Sequence, residues 1–273
     1  MGRDQEANHS MSRHALAPAR LLAMVVSASL LLLGACHAST DRAPDQPGMG
    51  ACSSQFETTF QGWNVLYKQA LVDTNRPDAQ ADSLLPVTSD ALAAWLALLD
   101  QFYQSPPPVY VADADWQRDL ATVTGYLEIA RRLLASGRVT QAHKALGPVR
   151  SVLLDLRRRN GIACYGDVLF EYHNVMEAAC DPIIADPNSV TRASLPDIAC
   201  RVRDARTAWQ HVHDFGFNPV SESEREKHRE IVAAESRALL QLEAAVTSGD
   251  AASITPAAQA VKAHYRALYL AFG

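Results

Sequence analysis

Phe60 to Leu66 reads FQGWNVL and Phe170 to Met176 reads FEYHNVM, and the likeness between these heptapeptides organises the reading of the whole chain. Three further landmarks keep the same order. Cys52 is matched by Cys164, DALAAW from Asp90 by DARTAW from Asp204, and the segment 137–161, glycine at both ends, by 249–273. The offsets lie between 110 and 114 residues, and the changes in length fall between landmarks, where loops belong. A repeat of this size reads as one unit written twice, each copy needing its own buried face.

Each copy reads as four amphipathic helices, because apolar residues recur at three- and four-residue steps. In the first copy the stripes are Phe60, Trp63, Tyr67, Ala70; Leu92, Trp95, Leu99, Phe102; Leu120, Val123, Leu127, Leu134; and Val149, Val152, Leu153, Leu156. In the second they are Leu169, His173, Met176, Cys180; Val202, Ala205, Trp209, Val212; Val232, Leu239, Leu242, Val246; and Val261, Tyr265, Leu268, Phe272. No strand alternation competes. Short connections at Ser136 and Ser248 make neighbouring helices antiparallel, and the prolines from Pro106 to Pro108 force a break. The expected fold is all-α: two tandem up-down-up-down four-helix bundles, residues 52–161 and 162–273.

The chain has 273 residues, of which 48% are apolar and 20% charged, and a formal net charge of −5. That is enough apolar surface for a sizeable core. The charge balance excludes a nucleic-acid partner, since phosphate binding needs concentrated Lys and Arg. From Leu21 the run LLAMVVSASLLLL carries no charge and is preceded by Arg13 and Arg20. As a helix it would be roughly 20 Å long, short of the about 30 Å of a bilayer core, so it reads as the apolar part of an export signal. LGAC at its end resembles the lipobox of bacterial lipoproteins, with Cys36 as the lipid-modified first mature residue. Residues 1–35 are then a signal peptide, and 36–51, rich in polar residues and proline, a flexible tether. Asp4 and Glu6 are unusual before an export signal, and Met11 is an alternative start. This places the chain on the periplasmic face of a bacterial membrane, the outer membrane in preference to the inner. Its partners would be the membrane, through the lipid on Cys36, and another envelope protein.

DALAAW, the SPPP break at Ser105 and the helix turn LLASGRVTQAHKAL at Leu133 resemble soluble four-helix cytochromes of the b562 type. That resemblance covers residues 60–161 and, more faintly, the second copy. It implies a non-covalent haem near one end of a bundle, held by a Met on the first helix and a His on the last. Here the position of that His falls on Arg157 and Tyr269, neither of which is such a ligand.

A substitute pair is suggested by the repeat itself. Trp63 and Val152 of the first copy become His173 and His264 in the second. Helix rise puts both roughly 11 to 12 Å from the same end of an antiparallel pair, so they are expected to face each other. Two neutral imidazoles suit haem iron or a soft divalent metal; Met176 would offer a thioether and Glu177 would orient the ring of His173. The bland reading makes both histidines boundary residues and Met176 core filling. His143, His211, His213 and His228 read as solvated, and SESEREKHRE from Ser221 as the exposed start of a helix, capped by Ser221 or Ser223.

Cys180 is expected to end one helix and Cys200 to begin the next, so a disulfide across that loop is natural. Cys52 with Cys164 is the remaining pairing, although four cysteines allow three connectivities. No GxSxG, HExxH or glycine-rich phosphate loop is present, and the chain reads as non-enzymatic. Two functions stay open: a tethered binding or electron-transfer lipoprotein with haem or soft metal in the second bundle, and a cofactor-free helical interaction module of the cell envelope.

Overall fold

The computed structural model describes residues 55–273, so the signal peptide, the tether, Cys36 and Cys52 lie outside the described residues. Among the described residues the fold is all-α. The helices are α1 (Gln55–Asp73), α2 (Ala81–Phe102), α3 (Trp116–Ala135), α4 (Val139–Leu146), α5 (Pro148–Arg159), α6 (Tyr165–Ala185), α7 (Leu195–Phe215), α8 (Glu222–Ser248) and α9 (Ala251–Phe272). Short 3-10 turns lie at Pro108–Tyr110, after the expected proline break, and at Pro187–Ser189.

The ends of these helices follow local chemistry. At the start of α8, Ser221 Oγ accepts from the Glu224 amide at 3.1 Å while the Glu224 carboxylate accepts from the Val220 amide at 2.6 Å. Free N–H groups of a first turn are satisfied this way. Gly137 and Gly249 end α3 and α8 with φ of 74° and 71°, a left-handed conformation that glycine adopts without a Cβ clash. In the first half the last helix is broken. Pro148 has no N–H to continue the ladder, so α4 and α5 meet at Gly147 instead of forming one helix like α9.

Helices α1, α2 and α3 pack in sequence order, and α3 also contacts α4 and α5. Further along, α6 packs on α7, α7 on α8, α8 on α9, and α9 returns to α6. The two stretches share local detail. Trp95 Nε1 donates to Thr124 Oγ1 at 3.0 Å, and Trp209 Nε1 donates to Ser236 Oγ at 2.9 Å. Each receiving hydroxyl in turn donates to the carbonyl one turn earlier, of Leu120 and Val232. α2 is long and apolar enough by length and composition to cross a membrane, yet Ala91, Trp95 and Leu98 face α1 and α3 as core residues.

Among the described residues the buried side chains form one continuous cluster that draws on each of helices α1 to α9. Arg157 of α5 and Asp167 of α6 form a two-pronged ion pair at the seam, each side chain 9% exposed. Asn64 and Lys68 of α1 donate to the Gly273 carbonyl at 3.1 and 2.5 Å. Gly166 lets α6 approach the end of α9 closely, since a Cβ there would lie 3.0 Å from the Gly273 carbonyl carbon.

The Cys180–Cys200 pairing is corrected. Cys180 is a free, buried thiol, whereas Cys164 and Cys200 are each held in a disulfide, so Cys200 does not pair with Cys180. The expectation assumed that α6 stopped at Cys180; it runs another turn to Ala185, and Cys180 turns into the core with none of its surface exposed. Burial, followed by the nearby Glu235 carboxyl, pushes its thiol up to about 12.

Candidate functional site

Arg150 is one of several buried polar side chains with an atom left unpartnered. α5 carries Val149, Leu153 and Leu156 on its buried face, and Arg150 stands beside them at the seam with α6 and α9. Its guanidinium lies 4.4 Å from the ring centre of Phe170 and 5.6 Å from that of Tyr269. Its Nη2 lies 3.1 Å from His173 Nε2. No carboxylate lies within ion-pair distance of it among the described residues, and its Nε is buried without a hydrogen-bond partner. An unpaired buried donor on a cation is costly, because water has been removed and nothing replaces it.

His173 shares the anomaly. Its ring stacks on Tyr265 at 4.9 Å and on Phe170 at 6.2 Å, and its Nδ1 is buried without a partner. Nε2 is contested: it lies near Arg150 and also 3.2 Å from Glu177 Oε2. With its proton on Nδ1 the ring accepts from Arg150; with the proton on Nε2 it donates to Glu177, and the nitrogen cannot do both. Burial holds His173 below its ordinary titration range, against the pull of Glu177. Burial alone would raise Glu177, but the hydrogen bond with His173 and the Lys262 ammonium bring it down to about 2. Lys262 bridges Glu177 at 3.2 Å and also pairs with Asp181.

The Tyr265 hydroxyl is a third buried polar atom without a partner, on a residue only 4% exposed. Arg150, His173, Tyr265, Met176, Glu177 and Lys262 all line one cavity of about 90 Å³, whose rim comes from α1 and His143 of α4. At about 30 Å³ of liquid volume per water, this is space for roughly three waters or one small oxyanion.

The predicted ligand set is therefore only partly assembled. Met176 is fully buried and lines the cavity, and Glu177 does hydrogen-bond to His173. His264 is not among the lining residues, and Tyr265 takes the place opposite His173. The sequence stripe held Leu153 and Tyr265 correctly, and the error lay in counting Val152, and with it His264, as core too. Val152 and His264 are both only partly buried, while Leu153 and Tyr265 are the core positions. The residues present do not fit a haem between His173 and His264. A cavity for a ligand of that size holds on the order of 300–1,000 Å³, and here Tyr172, Met176 and Tyr265 fill the interior. No group of three His, Cys, Asp or Glu side chains suited to a metal ion occurs among the described residues.

Two other histidines also depart from expectation. His143 Nδ1 lies 3.1 Å from the Leu71 carbonyl and 3.2 Å from Thr74 Oγ1, tying α4 to α1. His228 stacks on Phe217 at 4.4 Å and shares a 2.8 Å hydrogen bond with Tyr165. The positions where the b562 resemblance would place its His have structural partners: Arg157 pairs with Asp167, and Tyr269 is buried near Arg150.

The sequence reading missed Arg150. Its signal was available, since Arg150 and Arg157 are seven residues apart on the stripe of Leu153, and a cation recurring at helical spacing on an apolar face needs a partner. No family model, curated protein or solved structure matches this chain.

Proposed function

We propose that the protein is a non-enzymatic binding module of the cell envelope, tethered to the periplasmic face of a bacterial membrane through lipid on Cys36. In this reading one helical unit has been duplicated, and the seam between the copies holds a small carboxylate-sized oxyanion. The observation that carries it is the Arg150 guanidinium, with its buried, unpartnered Nε, facing a cavity shared with the unpartnered Nδ1 of His173 and hydroxyl of Tyr265. Arg presents a planar fork of donors that matches a carboxylate, and a ligand there would satisfy the guanidinium in place of the absent acid. A ring protonated at Nδ1 adds a second donor.

The duplication is supported by the equivalent Trp95–Thr124 and Trp209–Ser236 bonds and by the left-handed glycines at 137 and 249. The copies have diverged where they meet. Trp63 stacks on Tyr67 in the first, while its counterpart His173 lies against Tyr265 and the oxyanion cavity in the second. The b562 resemblance then describes a shared helical plan without its haem site.

The test is a thermal-shift and calorimetric titration of the full chain in neutral-lipid nanodiscs with acetate, bicarbonate, sulfate and phosphate, alongside haem. Saturable binding of a small oxyanion that raises the melting temperature and is lost in Arg150→Met is the expected result. Haem should give no stoichiometric Soret shift. If no anion shifts the melting temperature at about 100 times a millimolar-class Kd, the oxyanion reading fails and the ligand-free interaction module replaces it. A haem complex abolished by His173→Ala would restore the electron-transfer reading.

A further inference from the structure

A second and larger cavity, about 510 Å³ in volume, lies where the last turns of α7 meet α8. That lies within the range of about 300–1,000 Å³ typical of small organic ligands. Val212 of α7 and Val232 and Ala233 of α8 supply its apolar surface, and the rim carries His213, Arg229 and Arg237. Among the described residues no acidic side chain lines it.

The polar groups within the cavity wall are already engaged. Tyr165 and His228 bond each other, and Ser236 accepts from Trp209 while donating to the Val232 carbonyl. The wall is consequently apolar in effect, with aromatic edges. On the rim, Arg229 pairs only with Glu226, on its own helix, and Arg237 is exposed with no ion pair among the described residues. A cleft with an apolar wall and arginines on its rim, of which Arg237 has no ion-pair partner among the described residues, selects an organic anion over a neutral or cationic ligand of the same shape.

The first half shows what such a space holds when it is filled from within. At the repeat offsets, Val212 corresponds to Leu98, Gly216 to Phe102 and His228 to Trp116. Phe102 and Trp116 are buried there against Phe56, with ring centres 5.5 and 5.2 Å away, and the Trp116 indole donates to the Phe102 carbonyl. Phe217 and Phe272 pack on His228 without lining the cavity, so replacing a benzyl by hydrogen and an indole by an imidazole leaves ring-sized space on the α7–α8 side.

We propose that the α7–α8 cavity binds an aryl carboxylate, its ring between Val212, Val232 and Ala233 and its carboxylate at Arg229 and Arg237. This site is independent of the Arg150 cavity. The ring-filling comparison rests on the duplication reading, whereas the cavity and its charged rim do not.

The probe is 2-naphthoate, titrated by fluorescence and calorimetry into the full chain in neutral-lipid nanodiscs, with empty nanodiscs as the blank. The expected result is saturable binding below about 1 mM, with the neutral analogue 2-naphthalenemethanol weaker by about tenfold or more. Ala233→Phe, which places a ring in the cavity, and the double substitution Arg229→Gln, Arg237→Gln should each weaken naphthoate by about tenfold or more. Unchanged melting temperatures of these variants would show that the fold is intact, and Arg150→Met should leave naphthoate binding unaltered. Equal affinity for the neutral analogue would overturn recognition of the anion. Binding indifferent to Ala233→Phe in a folded variant, or none by about 1 mM, would overturn the site. Replacing naphthoate by decanoate separates an aryl from an alkyl body, and decanoate binding tenfold tighter would overturn the aryl assignment.

Discussion

Glu235 should make this protein sensitive to alkali, and Glu235→Gln should remove that sensitivity. The carboxyl is fully buried in α8, accepts from the Tyr172 hydroxyl and has a second oxygen without a partner. Burial raises it from 4.5 to about 8, the hydrogen bond from Tyr172 offsetting part of that. The folded chain thus keeps a proton that the unfolded chain has released, throughout the window from 4.5 to about 8. The stabilisation is complete below 4.5, declines as the pH rises through the window and levels off above about 8. At 1.36 kcal/mol per pH unit the full loss is about 5 kcal/mol, and the part between about pH 5.5 and 9 is about 3 kcal/mol. Against a total of about 5–15 kcal/mol for a typical domain, that is a large fraction. Urea unfolding of wild type and Glu235→Gln at both pH values isolates the effect, since every other titrating group cancels in the difference. The wild type should lose about 3 kcal/mol more than the variant. Equal losses would mean that Glu235 is charged in the folded state and that the reasoning from burial is wrong.

Arg157→Met should destabilise by about 3–5 kcal/mol, because it strands the Asp167 carboxylate at the seam, as denaturant midpoints would reveal; Arg157→Met with Asp167→Leu should recover most of the loss. Cys180 should resist a thiol reagent in the folded protein and react at once in urea, since burial holds it near 12; rapid labelling of native protein would contradict its place in the core. Ser236→Ala and Thr124→Ala should each cost about 1 kcal/mol by leaving a buried tryptophan N–H unpaired, and a large inequality would count against the equivalence of Trp95 and Trp209. Metabolic labelling with a fatty acid should mark the wild-type protein and not Cys36→Ser; label retained in the variant would refute lipidation at Cys36.

The helical class was legible because Trp63, Tyr67, Trp95 and Trp209 recur at helical spacing and are buried. So were the turns at Gly137 and Gly249, where positive φ and a change of direction coincide. Less was legible wherever one position around a helix matters. A helix turns by about 100° per residue, so His264, read as inward-facing through its match to Val152, stands one position round from the core residue Tyr265 and off the cavity. The Cys180 pairing failed for a similar reason: length tells how far apart two helix ends are, but not which way a side chain faces one turn earlier. Arg150 and Glu235 were hidden because composition counts charges without showing which lie inside. The break at Pro148 was visible in the sequence, yet its effect on the last helix of the first half was overlooked.

The bonds from Asn64 and Lys68 to the Gly273 carbonyl join residues 209 and 205 positions apart in sequence. A ribosome releases the first of these helices long before the last exists, so α1 must wait for the carbonyls that complete its outer side. Large sequence separation slows folding by the entropy of closing the intervening loop. The delay concerns that seam alone, since α1 can pack on α2 before α9 has been made.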